Sequence, residues 1–208
     1  FRYRPTDAPD TFSEARRSLD THVVNRFVFA GILGLGGLVP RLVPVLNALV
    51  AKSYFAPRTT VGRSDRLLNL AMPPRHDELE YALPVDLAAD ALAFSRELVR
   101  REKLTVDFIV ELRFSAADDA TLSPSHARDT CWLGAYAART PDLDRYLRAV
   151  ERWSLAHDGR PHWGKRFEAG RAELAPRFPK WLDFERIRNR VDPTGTFDNA
   201  FLRRVFGW

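Results

Sequence analysis

Three charged side chains, at two places in the sequence, have the type and setting to do chemistry. Glu111 and Arg113 lie two residues apart in the run Val106–Ser115. If that run is a strand, alternation sends both to the face opposite its apolar set, Phe108, Val110, Leu112 and Phe114. Arginine offers a planar fork of donors to an oxygen-rich ligand, and glutamate accepts from hydroxyls. That pair suits a polyol or sugar-lactone site, and a solvated polar face fits the local pattern equally well. The third group is Lys165, in Gly159-Arg-Pro-His-Trp-Gly-Lys165. Tryptophan seeks burial with a partner for its N–H, while lysine is almost never fully buried unless paired. Set after a Gly and a Pro, the two suggest a stiff wall with a charge aimed into a cavity. Taken alone, the segment favours the plainer reading, a tryptophan under a loop with its lysine reaching solvent.

Other residue types point to structure more than to catalysis. The single cysteine, Cys131, excludes an internal disulfide or a multi-cysteine metal site. Its apolar setting, Cys131-Trp-Leu-Gly-Ala-Tyr136, reads as a buried small hydrophobe, and a reducing, cytoplasmic compartment is the expectation. Asp118 and Asp119 open a loop where turn chemistry accounts for them. No His or Cys stands at ligand spacing to them, so no metal is expected. His126 reads as a loop residue and His157 as a helix end, where a cation suits the dipole. The glycines of Gly31-Ile-Leu-Gly34-Leu-Gly36-Gly37 follow no strand, so they make no dinucleotide fingerprint.

The 208 residues are 45% apolar and 28% charged, enough for a substantial core, and 32 basic against 27 acidic residues give a charge of +5. The basic excess is spread along the chain. A diffuse excess reads as a solvated surface, with an anionic partner such as a phosphate-bearing cofactor or an acidic membrane as the alternative, and without a zinc-finger, RNP-like or basic-heptad pattern nucleic acid is not expected.

Residues 1–21 read as an extended, Pro-containing entry leading to a short helix near Ser13–Thr21. Val23 to Phe55 is the most apolar stretch. Arg26 and Arg41 bracket only 14 residues, short of the about 20 a membrane span needs. The expectation is two helices broken at the glycines and prolines, buried against the domain or a partner, with peripheral membrane contact or oligomer formation through 23–55 as the alternative. Leu67–Met72 suggests a strand ended by Pro73-Pro74. Glu78–Leu83 alternates charged and apolar residues, the mark of a half-buried strand. Asp86 to Arg101 predicts an amphipathic helix with Asp86 as N-cap. The run containing Glu111 predicts the next strand, Thr130–Ala138 another, and Asp142–His157 a second amphipathic helix. Short helices follow around 171–175, 183–191 and 199–206. Strand, helix, strand, strand, helix is most of a split βαβ pattern. The fold class expected is α+β, an antiparallel ferredoxin-like sheet with helices on one face, preceded by a helical segment.

Four segments in order carry a family resemblance: Glu78-Leu-Glu-Tyr-Ala-Leu-Pro84; Val110 through Asp119 with Leu122-Ser-Pro124 and Arg128-Asp-Thr130; Gly159 through Lys165; and Leu182-Asp-Phe through Asp192-Pro-Thr-Gly-Thr-Phe-Asp-Asn199 and Phe201-Leu-Arg-Arg204. Together they resemble the C-terminal half of the sugar-lactone oxidoreductases, namely D-arabinono-1,4-lactone oxidase, L-gulono-1,4-lactone oxidase or dehydrogenase and the alditol oxidases. The resemblance implies a flavoenzyme of the vanillyl-alcohol-oxidase type that oxidises a lactone or polyol by hydride transfer to FAD, residues 76–208 being the substrate cap and 1–75 its linker and helical segment. It assigns Lys165, Arg113 and Glu111 to catalysis, and the same three with Tyr136 to substrate binding. His162, Trp163 and Asn199 are placed beside the cofactor. Where relatives often carry a histidine, this sequence has Leu133-Gly-Ala-Tyr136, a different polar lining that leaves the sugar specificity open.

A flavin-binding domain is not among these residues, and the chain opens on Phe1. The expectation is a fragment of a longer polypeptide or a chain paired with a separate flavin-binding chain. The rival from another class is a non-catalytic cap-like binding or scaffolding subunit.

Overall fold

The computed structural model describes residues 6–54, 59–67, 75–138 and 140–207. The chain divides into two compact units, Phe1–His76 and Asp77–Trp208. The strand expected at Leu67–Met72 and its Pro-Pro stop lie outside the described residues, apart from Leu67, which ends a one-turn helix.

In the first unit, α1 runs from Glu14 to Leu38 with a π-helical stretch over Asp20–Val28, and α2 spans Val43–Tyr54. The glycines do not break this helix. Gly31, Gly34, Gly36 and Gly37 all lie inside it, since a helical glycine costs only about 1 kcal/mol against alanine. The break comes at Val39 and Pro40. Val39 sits at φ −131°, ψ 79°, outside the helical region that a following proline disfavours. Pro44 is tolerated in the first turn of α2, where its missing N–H has no role. Helix α1 is long and apolar enough to cross a membrane by length and composition. A helix that packs on another protein surface has the same properties, and membrane association gains no support from it.

The second unit is an α+β fold. Strand β1 (His76–Pro84) is followed by α3 (Ala88–Arg101), β2 (Val110–Ser115), β3 (Thr130–Ala138), α4 (Leu143–Ala156) and β4 (Arg160–Pro161). Three short helices close the unit: α5 (Arg171–Leu174), α6 (Trp181–Val191) and α7 (Ala200–Phe206). The strands form one antiparallel sheet ordered β2-β3-β1-β4. Its last strand, two residues long, falls inside the motif that ends at Lys165. It pairs Ala82 with Arg160 and Tyr81 with Pro161 and completes the split βαβ pattern.

Alternation sorts each strand. Leu79, Tyr81 and Leu83 of β1 and Leu133, Ala135 and Ala137 of β3 meet Ala91 and Leu98 of α3 and Leu143, Tyr146, Leu147 and Val150 of α4 in one buried core. Cys131 is buried, and its thiol is pushed up by desolvation, as expected of a core residue and not of a nucleophile.

Three local expectations change. The strand of Glu111 begins at Val110, not Val106, because the preceding segment spends its polar groups elsewhere. Thr105 N–H donates to the Asp142 carboxylate at 2.9 Å, and the Asp107 carboxylate accepts Ala138 N–H at 3.1 Å. Phe114, expected in the core, is 64% exposed at the far end of β2. Asp86 does not cap α3. It lies in a 3₁₀ turn, Val85–Leu87, that begins where Val85 N–H bonds to the Asp129 carbonyl at 3.2 Å. The turn placed at Asp118 holds: its carboxylate accepts Ala120 N–H at 3.0 Å and the Ser123 hydroxyl at 2.5 Å.

One buried carboxylate ties the layers together. Glu151 of α4 is 5% exposed and accepts the Tyr81 hydroxyl at 2.8 Å and the N–H groups of Glu168 and Ala169, both at 2.9 Å. Replacing it with leucine would orphan three donors, at about 1–3 kcal/mol for each one left buried. Glu151→Leu is therefore expected to lower unfolding free energy by about 3 kcal/mol or more, and Glu151→Gln, which keeps an acceptor oxygen, by about 1 kcal/mol. Urea unfolding followed by tryptophan fluorescence measures both, and equal stability of the two variants would contradict the assignment.

Candidate active site

The face of the sheet turned away from α3 and α4 carries the charges. Register places Glu111 beside Gly134 and Arg113 beside Trp132. Both side chains lie opposite the inward Val110 and Leu112, as the strand pattern predicts. The Arg113 guanidinium donates to the Glu111 carboxylate at 2.7 Å and to the Tyr136 hydroxyl at 3.4 Å; that hydroxyl donates to Glu111 at 2.9 Å. The three groups form a closed triangle. Arg113 first and Tyr136 second hold the Glu111 carboxyl below its ordinary range, against the opposing effect of burial. Glu111 in turn raises Arg113, and burial with the Glu111 bond raises the Tyr136 phenol. Gly134 makes room for this. A Cβ there would come 2.9 Å from Tyr136 Cε2 and 3.1 Å from its hydroxyl.

Lys165 reaches the same face from the far side. The segment after β4 is stitched to β1 by His162 N–H on the Glu80 carbonyl at 2.9 Å and Arg166 N–H on the Glu78 carbonyl at 2.9 Å. Lys165 Nζ is ion-paired with the Glu78 carboxylate, and burial pulls the ammonium below lysine's ordinary range. The neighbouring His162 ring stands edge-on to Trp132 at 5.9 Å, its Nδ1 accepting Gly164 N–H at 3.0 Å.

The tetrapeptide motif thus splits in two directions. His162 and Lys165 face the charged side. Trp163 turns into an aromatic cluster with Phe167, Phe178, Trp181 and Phe206, and its indole N–H donates to the Leu122 carbonyl at 2.7 Å. Asn199 is the N-cap of α7, its side-chain oxygen accepting Leu202 N–H at 3.0 Å.

Sequence reasoning passed over two members of the face, Glu78 and Glu80. Both alternate with Leu79 and Tyr81, so the period that identified the strand also aims two acids at the side carrying Glu111 and Arg113. Glu80 is 4% exposed, and burial pushes its carboxyl above the ordinary range.

The family described as D-arabinono-1,4-lactone oxidase matches residues 2–205. An L-gulono-1,4-lactone dehydrogenase of Mycobacterium tuberculosis is 37% identical over 172 residues, covering 83% of this chain and 40% of its own length. An L-gulonolactone oxidase of Scyliorhinus torazame is 30% identical over 192 residues, covering 89% of this chain and 43% of its own. An alditol oxidase of a Streptomyces species is 39% identical over 132 residues, covering 60% of this chain and 30% of its own. The chain spans about two fifths of the length of the first of these relatives.

Gly134→Ala is expected to displace the Tyr136 ring and break its bond to Glu111. Losing a donor to the ionised form raises a carboxyl pKa, so Glu111 should titrate at higher pH in the variant. Carbon-13 NMR of the glutamate carboxyls reads that titration, and an unmoved Glu111 would refute the coupling.

Proposed function

The chain belongs to the D-arabinono-1,4-lactone oxidase family, and on that premise we propose that it is the substrate-binding cap of an FAD-dependent oxidoreductase acting on the CH–OH group of a sugar 1,4-lactone or polyol. The observation that carries this reading is the Glu111–Arg113–Tyr136 triangle set on the same open sheet face as the Lys165–Glu78 pair.

A flavin's pyrophosphate calls for free backbone amides or a glycine cradle. Among the described residues the glycine-rich run is helix, its amides bonded along the helix axis. The described residues fit the substrate side of a flavin site, and the dinucleotide would be held by residues outside this chain, upstream on the same polypeptide or on a separate one. When bound, the flavin supplies the hydride acceptor. His162 and Lys165 are the groups of this chain that would border it. Trp163 supports them from the core side, and Asn199 does so only through the helix it caps.

The roles follow from charge and shape. Arg113 presents a guanidinium to the substrate oxygens, already oriented by Glu111. Glu111 accepts hydroxyl hydrogen bonds and so selects which carbon faces the acceptor. Lys165 and Arg113 stabilise negative charge that builds on the substrate oxygen as the C–H bond breaks. Tyr136 fixes the pair and adds a hydroxyl to the lining, which makes it a determinant of sugar preference.

In the flavin-containing protein, Arg113→Ala and Lys165→Ala should each slow flavin reduction by substrate about 10²–10³-fold, the cost typical of losing one such donor, with flavin content unchanged. Anaerobic reduction by a panel of aldonolactones and alditols, followed by reoxidation with oxygen, measures this and separates oxidase from dehydrogenase. Unaltered reduction rates in both variants would overturn the site.

A further inference from the structure

Oxidation of a carbinol removes a hydride from carbon and a proton from oxygen, and the groups described so far account only for the first. Each of them is a poor proton acceptor. Arg113 is a permanent cation raised further by Glu111. Lys165 is an ammonium held by Glu78. Glu111 is stabilised as a carboxylate by donors at 2.7 Å and 2.9 Å, which weakens it as a base. Tyr136 spends its proton on Glu111. His162 accepts from Gly164 at Nδ1, so the neutral ring carries its proton on Nε2 and offers a donor.

Glu80 differs from all five. It projects from β1 to the charged face and is 4% exposed. Among the described residues no hydrogen bond or ion pair reaches its carboxyl, although the charges of Arg113, His162 and Glu111 act on it and it acts in turn on Tyr136. A buried carboxyl without a partner is costly to keep, and its surroundings leave its lone pairs unclaimed for a ligand. Burial makes its carboxylate the more basic of the two, because donors from Arg113 and Tyr136 weaken Glu111 while none reaches Glu80.

We infer that Glu80 is the base that takes the hydroxyl proton of the substrate, an inference that rests on the cap reading above. The O–H bond breaks and its proton passes to a Glu80 oxygen. The C–H bond breaks with its electron pair leaving as hydride to the oxidised flavin, and the carbon–oxygen double bond forms. One two-electron oxidation is matched by one two-electron reduction, and Glu80 returns its proton to solvent after product leaves.

The test uses the flavin-containing protein and the variants Glu80→Gln and Glu80→Asp. Glu80→Gln should slow flavin reduction about 10²-fold or more, leave product-lactone binding little changed, and remove the limb of the pH–rate profile that rises with pH. Glu80→Asp, which keeps the base at a shorter reach, should recover part of the rate. A second readout needs no turnover. A carboxyl raised by folding favours the folded state while protonated, and that advantage is lost as pH rises through its folded value. Glu80→Gln should therefore raise the melting temperature at neutral and alkaline pH and leave it unchanged in acid. An unchanged rate, a slowed rate with the rising limb intact, or a melting temperature lowered at every pH would overturn the assignment. If no lactone or alditol reduces the flavin in the unmodified protein, the cap reading fails and the base assignment fails with it. If reduction is lost in Arg113→Ala and Lys165→Ala yet intact in Glu80→Gln, only the base assignment fails.

Discussion

The second unit depends on a buried carboxylate that pairs with no cation among the described residues. Glu151 sits in the buried stripe of α4 and is satisfied by the Tyr81 hydroxyl and by the backbone N–H groups of Glu168 and Ala169. Those donors come from the central strand β1 and from the segment that follows Lys165. One side chain thus joins a helix, the sheet and a loop that would otherwise expose its backbone polar groups. Buried unpaired charge is expensive, and hydrogen bonds to the ionised form are what offset it. The contact also fixes how far the 162–169 segment can stray from β1, and so where Lys165 reaches.

With that segment pinned, the sheet has two unlike faces. Helices α3 and α4 cover one with apolar side chains. The other collects Glu78, Glu80, Glu111, Arg113, Trp132, Tyr136, His162 and Lys165, an inventory no ordinary core contains. Two of its acids are matched to its two cations, Glu111 to Arg113 and Glu78 to Lys165. The pairing orients the cations before any substrate arrives, which lowers the ordering cost of binding. Among the described residues no hydrogen bond or ion pair reaches the Glu80 carboxyl, and a buried acid without one costs stability.

Much of this was legible in the sequence, and the reasons for success and failure are physical. Period-2 alternation survives tertiary packing because it follows from backbone geometry. It located β1 and sent Glu111 and Arg113 to one face of β2. Helix ends were harder. Asp86 has the chemistry of a cap, but the long-range bond from Val85 to Asp129 set a 3₁₀ turn ahead of α3. The glycines of α1 looked like breakers, while the break followed the proline rule at Val39. β4 was invisible because two residues carry no period; its partner strand defines it. Glu151 could have been found, since it falls on the helical stripe of Leu147, Val150 and Ser154 where an acid is out of place. Glu80 was hidden by its company: an acid in an alternating strand reads as solvent-facing until something covers the other side.

The tetrapeptide His162-Trp-Gly-Lys165 shows why a motif of mixed polarity need not be a compromise. The sequence admitted a tryptophan packed under a loop with its lysine reaching solvent, or a stiff wall with a charge aimed into a cavity; in the structure Trp163 is packed under the loop, and Lys165 is neither free nor in bulk solvent but paired with Glu78. Trp163 drives into the aromatic cluster and gives its N–H to Leu122, a carbonyl on the long β2–β3 loop. Gly164 then turns the chain, its N–H held by His162, and Lys165 comes back over β1 to Glu78. The apolar residue supplies the leverage that the charged one lacks. A lysine on a free loop would lose its aim to side-chain entropy, whereas one that follows an anchored indole within two residues has little freedom left to lose. The same segment is therefore apolar and anchored at Trp163 and charged at Lys165, and the core side is what makes the charged side rigid.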